Sequence, residues 1–369
     1  MIAPLRVAVN LTWCVPGAVG GSEEYLVRQI RGLDDDEIEP TLFVPRGFAV
    51  AHPELRERFD CVETRADGTS RPRRVLDEST WLFRRTRDFA LVHHGGGTIP
   101  ARHRAPTLLT IHDLQYRAFP EYFGRRRLAY LRAMMPRSAR RATAIAVPTE
   151  FVKSTVCDAY DIAAERVHVV PHGIEPNLGS DATPASELRA RFELGDAPFV
   201  VFPAMTHPHK GHAFLLDVME RHWSRRGVRL VLIGGRGSVE DDVARRLVDA
   251  PLSSTVSRLG RVSAADRDGL IRAATALVFP SQYEGFGAPL IEAMALGTPV
   301  IASDRACLPE VVGDAGLVLE LDVDRWGEAL DTVDARRSAL VEAGRSRVNH
   351  FTTAVSAAAL TRAYRRILT

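Results

Sequence analysis

Lysine is almost missing from this chain: of its 48 basic residues only Lys153 and Lys210 are lysine, and the rest are arginine. Where a compact ammonium survives against such a background, the position has a reason to need one that arginine's planar fork does not meet. A charge excess of one sign is missing too. The 46 acidic residues leave a formal charge of +2 over 369 residues, which excludes the strong basic excess of a nucleic-acid binder. Cysteine is scarce. Cys14, Cys61, Cys157 and Cys307 are widely scattered and lack metal-ligand spacing, so reduced thiols and a cytoplasmic location are expected. No run approaches the roughly 20 apolar residues of a membrane span. The opening MIAPLRVAVNLTW reads as a first strand rather than a signal peptide. Low-complexity tracts and short solenoid repeats are also absent.

What is present is the composition of a soluble globular protein, 46% hydrophobic and 25% charged, at a length that suits two domains. Short apolar runs alternate with helical stretches. Candidate strands cover residues 5–10, 41–44, 91–93, 107–111, 144–147 and 167–170, then 199–202, 229–233, 256–259, 276–279, 299–302 and 317–319. Amphipathic stretches such as 22–33 and 124–142 lie between them. This pattern predicts an α/β protein made of two doubly wound parallel sheets. The turn-rich segment PHGIEPNLGSDATPA, within residues 171–197, interrupts the alternation and marks the seam. In such folds ligands bind beyond the C-terminal ends of the strands, so the loops that follow them, expected to face a cleft between the domains, are where function is sought.

The richest of these loops is EGFGAPLIEAMALGTPV, residues 284–300, which follows an apolar strand and opens a helix. Glu284 falls on the loop and Glu292 about one and a half turns into the helix. Carboxylates so placed can accept hydrogen bonds from vicinal hydroxyls, and Gly285 to Ala288 bring backbone close to a ligand at the positive end of the helix. Because Ala288, Leu290, Ile291, Ala293, Met294 and Leu296 make the helix apolar nearly all round, Glu292 is expected to be buried and to need a partner. Lys210, in PAMTHPHKGHAF, stands just before another helix, where an ammonium can neutralise a diphosphate. Gly20 and Gly21 close a loop before a helix for which Ser22 is the expected N-cap, a setting for phosphate or sugar or simply a flexible connection. His112, in TIHDLQY, stands at a strand end and can donate to a substrate hydroxyl or orient a carbonyl, with Asp113 fixing its tautomer; a structural histidine is the competing reading. The loops GGRG, residues 234–237, and LGRVS, residues 259–263, belong to the same set.

Together these motifs, with AVPTEFVKS and VVPHGI, resemble the family 4 retaining glycosyltransferases of the GT-B fold over nearly the whole chain. The resemblance implies two Rossmann-like domains, an acceptor-side domain over 1–173 and a nucleotide-sugar donor domain over 174–350, with the closing helix, residues 351–369, crossing back onto the first. It implies roles as well. Glu292 matches the glutamate that binds the nucleotide ribose, and Glu284 the one that contacts the donor sugar. Gly285, Phe286, Gly287 and Ala288 match the turn whose amides approach sugar and phosphates. Lys210 matches the diphosphate-binding lysine, Val262 the backbone reader of the base, and His112 the histidine near the transferred sugar. Many members carry an arginine five residues before the lysine, where this chain has Met205, so Lys210 would act with backbone amides or with His207 or His209.

The implied reaction is transfer of a hexosyl unit, with a lean towards mannose from a guanosine donor, to a hydroxyl acceptor with retention and without a metal or other cofactor. Asp322 and Asp324 are read as a helix start rather than a cation site. A sugar-nucleotide epimerase and a catalytically silent nucleotide-sugar-binding protein are the alternatives. Residues 117–141 carry Arg117, Arg125, Arg126, Arg127, Arg132, Arg137, Arg140 and Arg141 against the single acid Glu121. They offer a basic face to an anionic lipid-linked acceptor or to the membrane surface. Leu128, Leu131 and Met135, at helical spacing, favour a packed helix with a solvated basic side.

Overall fold

The computed structural model describes residues 4–16, 20–34, 36–104 and 106–369. The chain forms two compact units, Met1–Gly173 with Thr352–Thr369, and Ile174–Phe351. In the N-terminal unit the strands are β1 (Leu5–Asn10), β2 (Ile38–Val44), β3 (Asp60–Glu63), β4 (Leu91–His94), β5 (Thr107–Thr110), β6 (Ala144–Val147) and β7 (Val167–Val169). They form one parallel sheet in the order β3-β2-β1-β4-β5-β6-β7. The C-terminal unit contains β8 (Phe199–Pro203), β9 (Arg229–Ile233), β10 (Val256–Gly260), β11 (Ala276–Phe279), β12 (Val300–Ser303) and β13 (Leu317–Leu319). Their order is β10-β9-β8-β11-β12-β13, again parallel throughout.

Both sheets wind outward from an inner strand in two directions. The order therefore reverses between β1 and β4 in one unit and between β8 and β11 in the other, the switch points at which α/β sheets bind ligands. The central strands are buried on both faces, which is why β11 and β12 read as continuous apolar runs. β3, sequence DCVE, has no such run. It is a half-exposed edge strand, and the apolar pattern of the sequence passes over it.

Helices relevant to the sites are α1 (Gly21–Arg31), α2 (Arg71–Asp77), α3 (Arg125–Arg141), α4 (Glu150–Tyr160), α5 (His212–Val218), α6 (Ala264–Ala273), α7 (Ala288–Ala295), α8 (Val323–Val348) and α9 (Thr353–Leu368). Ser22 is not the cap of α1. Gly20, at φ 74°, takes that position, so Ser22 lies inside the first turn. Asp322 does cap α8, accepting the Arg325 N–H at 2.9 Å. The closing helix α9 belongs to the N-terminal core. Ala357, Leu360, Ala363 and Tyr364 pack with Tyr25, Leu26 and Ile30 of α1, and a Cβ on Gly32 would lie 2.6 Å from the Thr353 carbonyl oxygen. Tyr364 Oη lies 2.8 Å from His93 Nδ1 on β4, anchoring the helix to the sheet.

Candidate functional site

In the C-terminal unit the switch point is built from the loops after β8 and β11. The chain leaves β8, makes a 3-10 turn over Pro208–Lys210, and enters α5 through Gly211, whose φ of 83° lies in the left-handed region. A Cβ there would meet the Pro280 carbonyl oxygen at 2.5 Å, so the turn is pressed against the end of β11 as only glycine allows. A hydrogen bond from Gln282 N–H to His209 O at 2.7 Å ties the two loops together. Their side chains meet as well. Lys210 Nζ donates to Glu284 Oε1 at 2.6 Å, with the two side chains only 20% and 13% exposed.

The Glu284 backbone is held from below by Cys307, whose buried thiol donates to the Glu284 carbonyl at 3.2 Å. Gly287 then turns the chain at φ 92° and starts α7, with Pro289 in its first turn, where the missing N–H costs nothing. Gly285 and Ala288 flank that turn, and the buried Phe286 ring packs edge-on against Phe351 at 5.3 Å. Glu292 is buried among Leu290, Ile291, Ala293 and Met294, as the all-round apolar helix requires. Val262 lies half-buried between β10 and α6, on the C-terminal side of its sheet.

Three residues that the motif pattern passes over hold these loops in place. Thr206 donates to Glu240 Oε2 at 2.6 Å and accepts the Gly237 N–H at 2.7 Å. Arg258, on β10, bonds the carbonyls of Gly234 and Gly235 at 2.9 and 3.2 Å and Glu240 Oε2 at 3.0 Å. Burial pushes the Glu240 carboxyl up, but the hydrogen bonds from Thr206 and Arg258 outweigh it and hold the pKa below its usual range. The one available signal was an arginine inside the strand VSRLG.

His207 and His209 stack at 5.9 Å. Burial, then the neighbouring charge of Lys210, pushes His209 down to about 3, so it is neutral at pH 7 and brings no positive charge to replace the arginine absent at Met205. His212, lowered to about 4 by burial and by Arg258, brings none either. Among the described residues, no group of three or more His, Cys, Asp and Glu is arranged to hold a metal ion.

In the N-terminal unit the loops after β1, β4 and β5 converge around His112. Its Nε2 lies 3.0 Å from the Gly95 carbonyl, Tyr25 packs edge-on at 5.2 Å, and Trp13 lies at 6.1 Å. A carbonyl only accepts, so Nε2 carries the proton. Burial lowers the pKa to about 4, against the opposing bond to Gly95, which leaves a neutral ring with Nδ1 as an acceptor. This corrects the expectation of a donor to substrate. Asp113 Oδ1 accepts the Gln115 N–H at 2.9 Å, and it is Gly95 that fixes the tautomer. Gly20 and Gly21 are exposed, and a Cβ on either would meet nothing within 4 Å. The first turn of α1 holds Glu23 and Glu24, which offset the positive helix end and suit hydroxyls better than phosphate. Residues 17–19 of the glycine loop lie outside the described residues.

All eight arginines between 117 and 141 are exposed. Met135 and Ala139 are buried in the core, and Leu128 and Leu131 pack against it, so α3 is a packed helix with a basic outer face. Among the described residues no helix is long and apolar enough to cross a membrane.

Comparison with known proteins places this geometry. Residues 19–178 match the model of glycosyltransferase family 4, and residues 197–333 match that of glycosyl transferases group 1. The chain is 31% identical over 256 residues to the O-antigen chain mannosyltransferase B of Escherichia coli, covering 66% of this chain and 65% of that protein. It is 32% identical over 194 residues to a GDP-mannose-dependent phosphatidylinositol monomannoside mannosyltransferase of Corynebacterium glutamicum, covering 48% of this chain and 50% of the relative. The alignments thus span less than two thirds of these relatives' own lengths. The Anabaena protein HepE, crystallised with UDP and glucose, superimposes with a TM-score of 0.75 at 18% identity, covering 97% of this chain and 98% of its own. With the two family models matched in order along two parallel-sheet units, the chain belongs to the family 4 glycosyltransferases, glycosyl transferases group 1, of the GT-B fold.

Proposed function

We propose that this protein is a metal-independent retaining glycosyltransferase that moves a mannosyl unit from guanosine diphosphate mannose to a hydroxyl acceptor. The contact of Lys210 with Glu284 at a glycine-lined helix start carries the reading. In this reading the cation serves the diphosphate as it gains charge, and the carboxylate accepts from the sugar hydroxyls. Glu292 is assigned to the ribose, Gly285, Phe286, Gly287 and Ala288 to sugar and phosphate, and Val262 to the base. The names of the two mannosyltransferase relatives support the choice of sugar, and one of them supports the guanosine donor.

In the proposed step the acceptor oxygen bonds to the anomeric carbon on the face from which the diphosphate departs. The bond to the diphosphate oxygen breaks, and that oxygen takes the acceptor proton. Lys210 stabilises the charge left behind, so neither glutamate is needed as a nucleophile. His112, neutral and accepting through Nδ1, is assigned to orient a hydroxyl. The basic face of α3 supports an anionic acceptor or contact with an anionic membrane surface.

A panel of nucleotide sugars tests the reading by thermal shift, because a ligand that binds the folded state raises its melting temperature. Guanosine diphosphate mannose is expected to give the largest shift. Adding hydroxyl acceptors should then release guanosine diphosphate equally well with or without a chelator. Binding without release for any acceptor would favour the silent binding protein, the reading to which Met205 lends weight; a product epimerised with donor alone would favour the epimerase.

A further inference from the structure

Across the N-terminal unit, α2 and α3 bring arginines together with few acids to balance them. The Arg71 guanidinium of α2 lies over the Tyr130 ring of α3, 5.0 Å from its centroid, and the Arg127 guanidinium lies over Phe123 at 5.1 Å. Stacking holds the planar forks while leaving their edge N–H groups to bond elsewhere. Among the described residues neither guanidinium has a hydrogen-bond or ion-pair partner in the protein. Arg74 Nε is buried without a hydrogen bond, 3.8 Å from Glu78 Oε1. That carboxylate is already engaged by Thr12 at 2.9 Å and Asn10 at 3.3 Å. Burial, then the charges of Arg74 and Arg127, depresses the pKa of Arg71, as expected of cations gathered without a counter-ion.

Topology puts the starts of both helices on the side of the sheet where its ligands are expected. α2 follows β3 and α3 follows β5, so both are entered from the C-terminal ends of strands. The seventeen-residue α3 opens on Arg125, Arg126 and Arg127 with no acid in its first turn, although the helix dipole disfavours cations there. Like charges gathered in this way are costly unless an anion joins them.

We propose that Arg71 and Arg74 of α2, with Arg127 and Tyr130 of α3, form a phosphate-binding site that takes a phosphate group carried by the acceptor. Guanidinium forks match phosphate oxygens in pairs, and Tyr130 supports the fork of Arg71 from behind. That the phosphate belongs to an acceptor rests on the transferase reading; the existence of the site does not.

Inorganic pyrophosphate is the probe, titrated calorimetrically into the full chain carrying Lys210→Ala so that the proposed donor site is disabled. Binding is expected to persist there and to weaken at least tenfold when Arg71→Gln and Arg74→Gln are added. Removing mutually repelling charges should leave the melting temperature unchanged or higher, which separates loss of the site from loss of the fold. Unchanged affinity in a folded double variant would overturn the site. Vesicles of phosphatidylcholine with phosphatidic acid form a second arm. Pyrophosphate binding alone assigns a soluble phosphorylated acceptor, and binding of both probes, each lost with the two arginines, assigns a lipid phosphate. Vesicle binding without pyrophosphate binding means diffuse surface charge and overturns the proposal. If transfer survives Lys210→Ala, the donor assignment fails while the pyrophosphate result stands on its own.

Discussion

The two units share one winding rule and fill their switch points with opposite chemistry. Beyond β8 and β11 a lysine and a glutamate touch, and Gly211 and Gly287 press backbone into places where a side chain would crowd its neighbours. Beyond β1, β4 and β5 a neutral histidine rests among aromatic rings, and Gly20 and Gly21 open onto free space. A diphosphate demands fixed charge and close amides. A hydroxyl acceptor asks only for a shaped surface and a lone pair, so on the proposed reading the N-terminal unit needs only a weaker motif on the same scaffold.

The sharpest way to break this comparison is to remove one residue from each side. Lys210→Ala should lower kcat by about 100- to 1,000-fold, the scale for loss of one group that stabilises transition-state charge. His112→Ala should cost less and act mainly on the KM for acceptor. Steady-state kinetics with both substrates varied would measure this. Equal losses in kcat would erase the distinction between a charge-stabilising unit and an orienting one.

Next in size is the support beneath the proposed donor loops. Arg258→Met leaves Glu240 without its ion-pair partner and frees the carbonyls of Gly234 and Gly235. Breaking a largely buried pair from one side costs about 3 kcal/mol. Chemical denaturation would show it, and nucleotide affinity should fall as the loop loosens. A stability loss below about 1 kcal/mol would mean that the network is ornamental.

Acid should part the units. The N-terminal unit buries His93 and His94, each pushed down to about 3, and His172, held well below its ordinary range, all chiefly by burial. His112 joins them at about 4. Below the ordinary value near 6.5 the unfolded chain takes up protons that the folded chain refuses. Stability is therefore intact at pH 7, falls as the pH drops below 6.5, and stops falling only near pH 3 to 4. Each such group contributes up to about 1.4 kcal/mol per pH unit in that window. His209 and His212 act in the same direction in the C-terminal unit. Hydrogen exchange at pH 7 and pH 5 should show the N-terminal core losing more protection, and equal losses would count against the contrast.

How much of this could be read from the residues depended on whether the cause was local. The inner strands are visible because burial on both faces demands unbroken apolar runs. The α7 loop is visible because its glycine turn and both glutamates fall within a few residues of one another. β3 is hidden because a half-exposed edge makes no such demand, and Ser22 misleads because Gly20 starts the helix earlier than a serine cap would. Thr206, Glu240 and Arg258 form one unit only after three strands align, and Arg71 reaches Tyr130 only across two helices. No spacing rule reports such contacts.

The smallest effect tests the two sets of glycines directly. At Gly20 only backbone strain opposes a side chain, since nothing lies within 4 Å of an added Cβ, and strain of that kind costs about 1–3 kcal/mol. Gly211 adds a collision with the Pro280 carbonyl to a comparable strain, and that carbonyl belongs to the loop carrying Glu284. Gly20→Ala should thus lower stability modestly and leave nucleotide affinity intact, whereas Gly211→Ala should lower both. Thermal denaturation with and without guanosine diphosphate reads the two quantities together. If Gly20→Ala weakens the nucleotide as much as Gly211→Ala does, the N-terminal glycines bind donor phosphate after all, and the division of chemistry between the units is wrong at that loop.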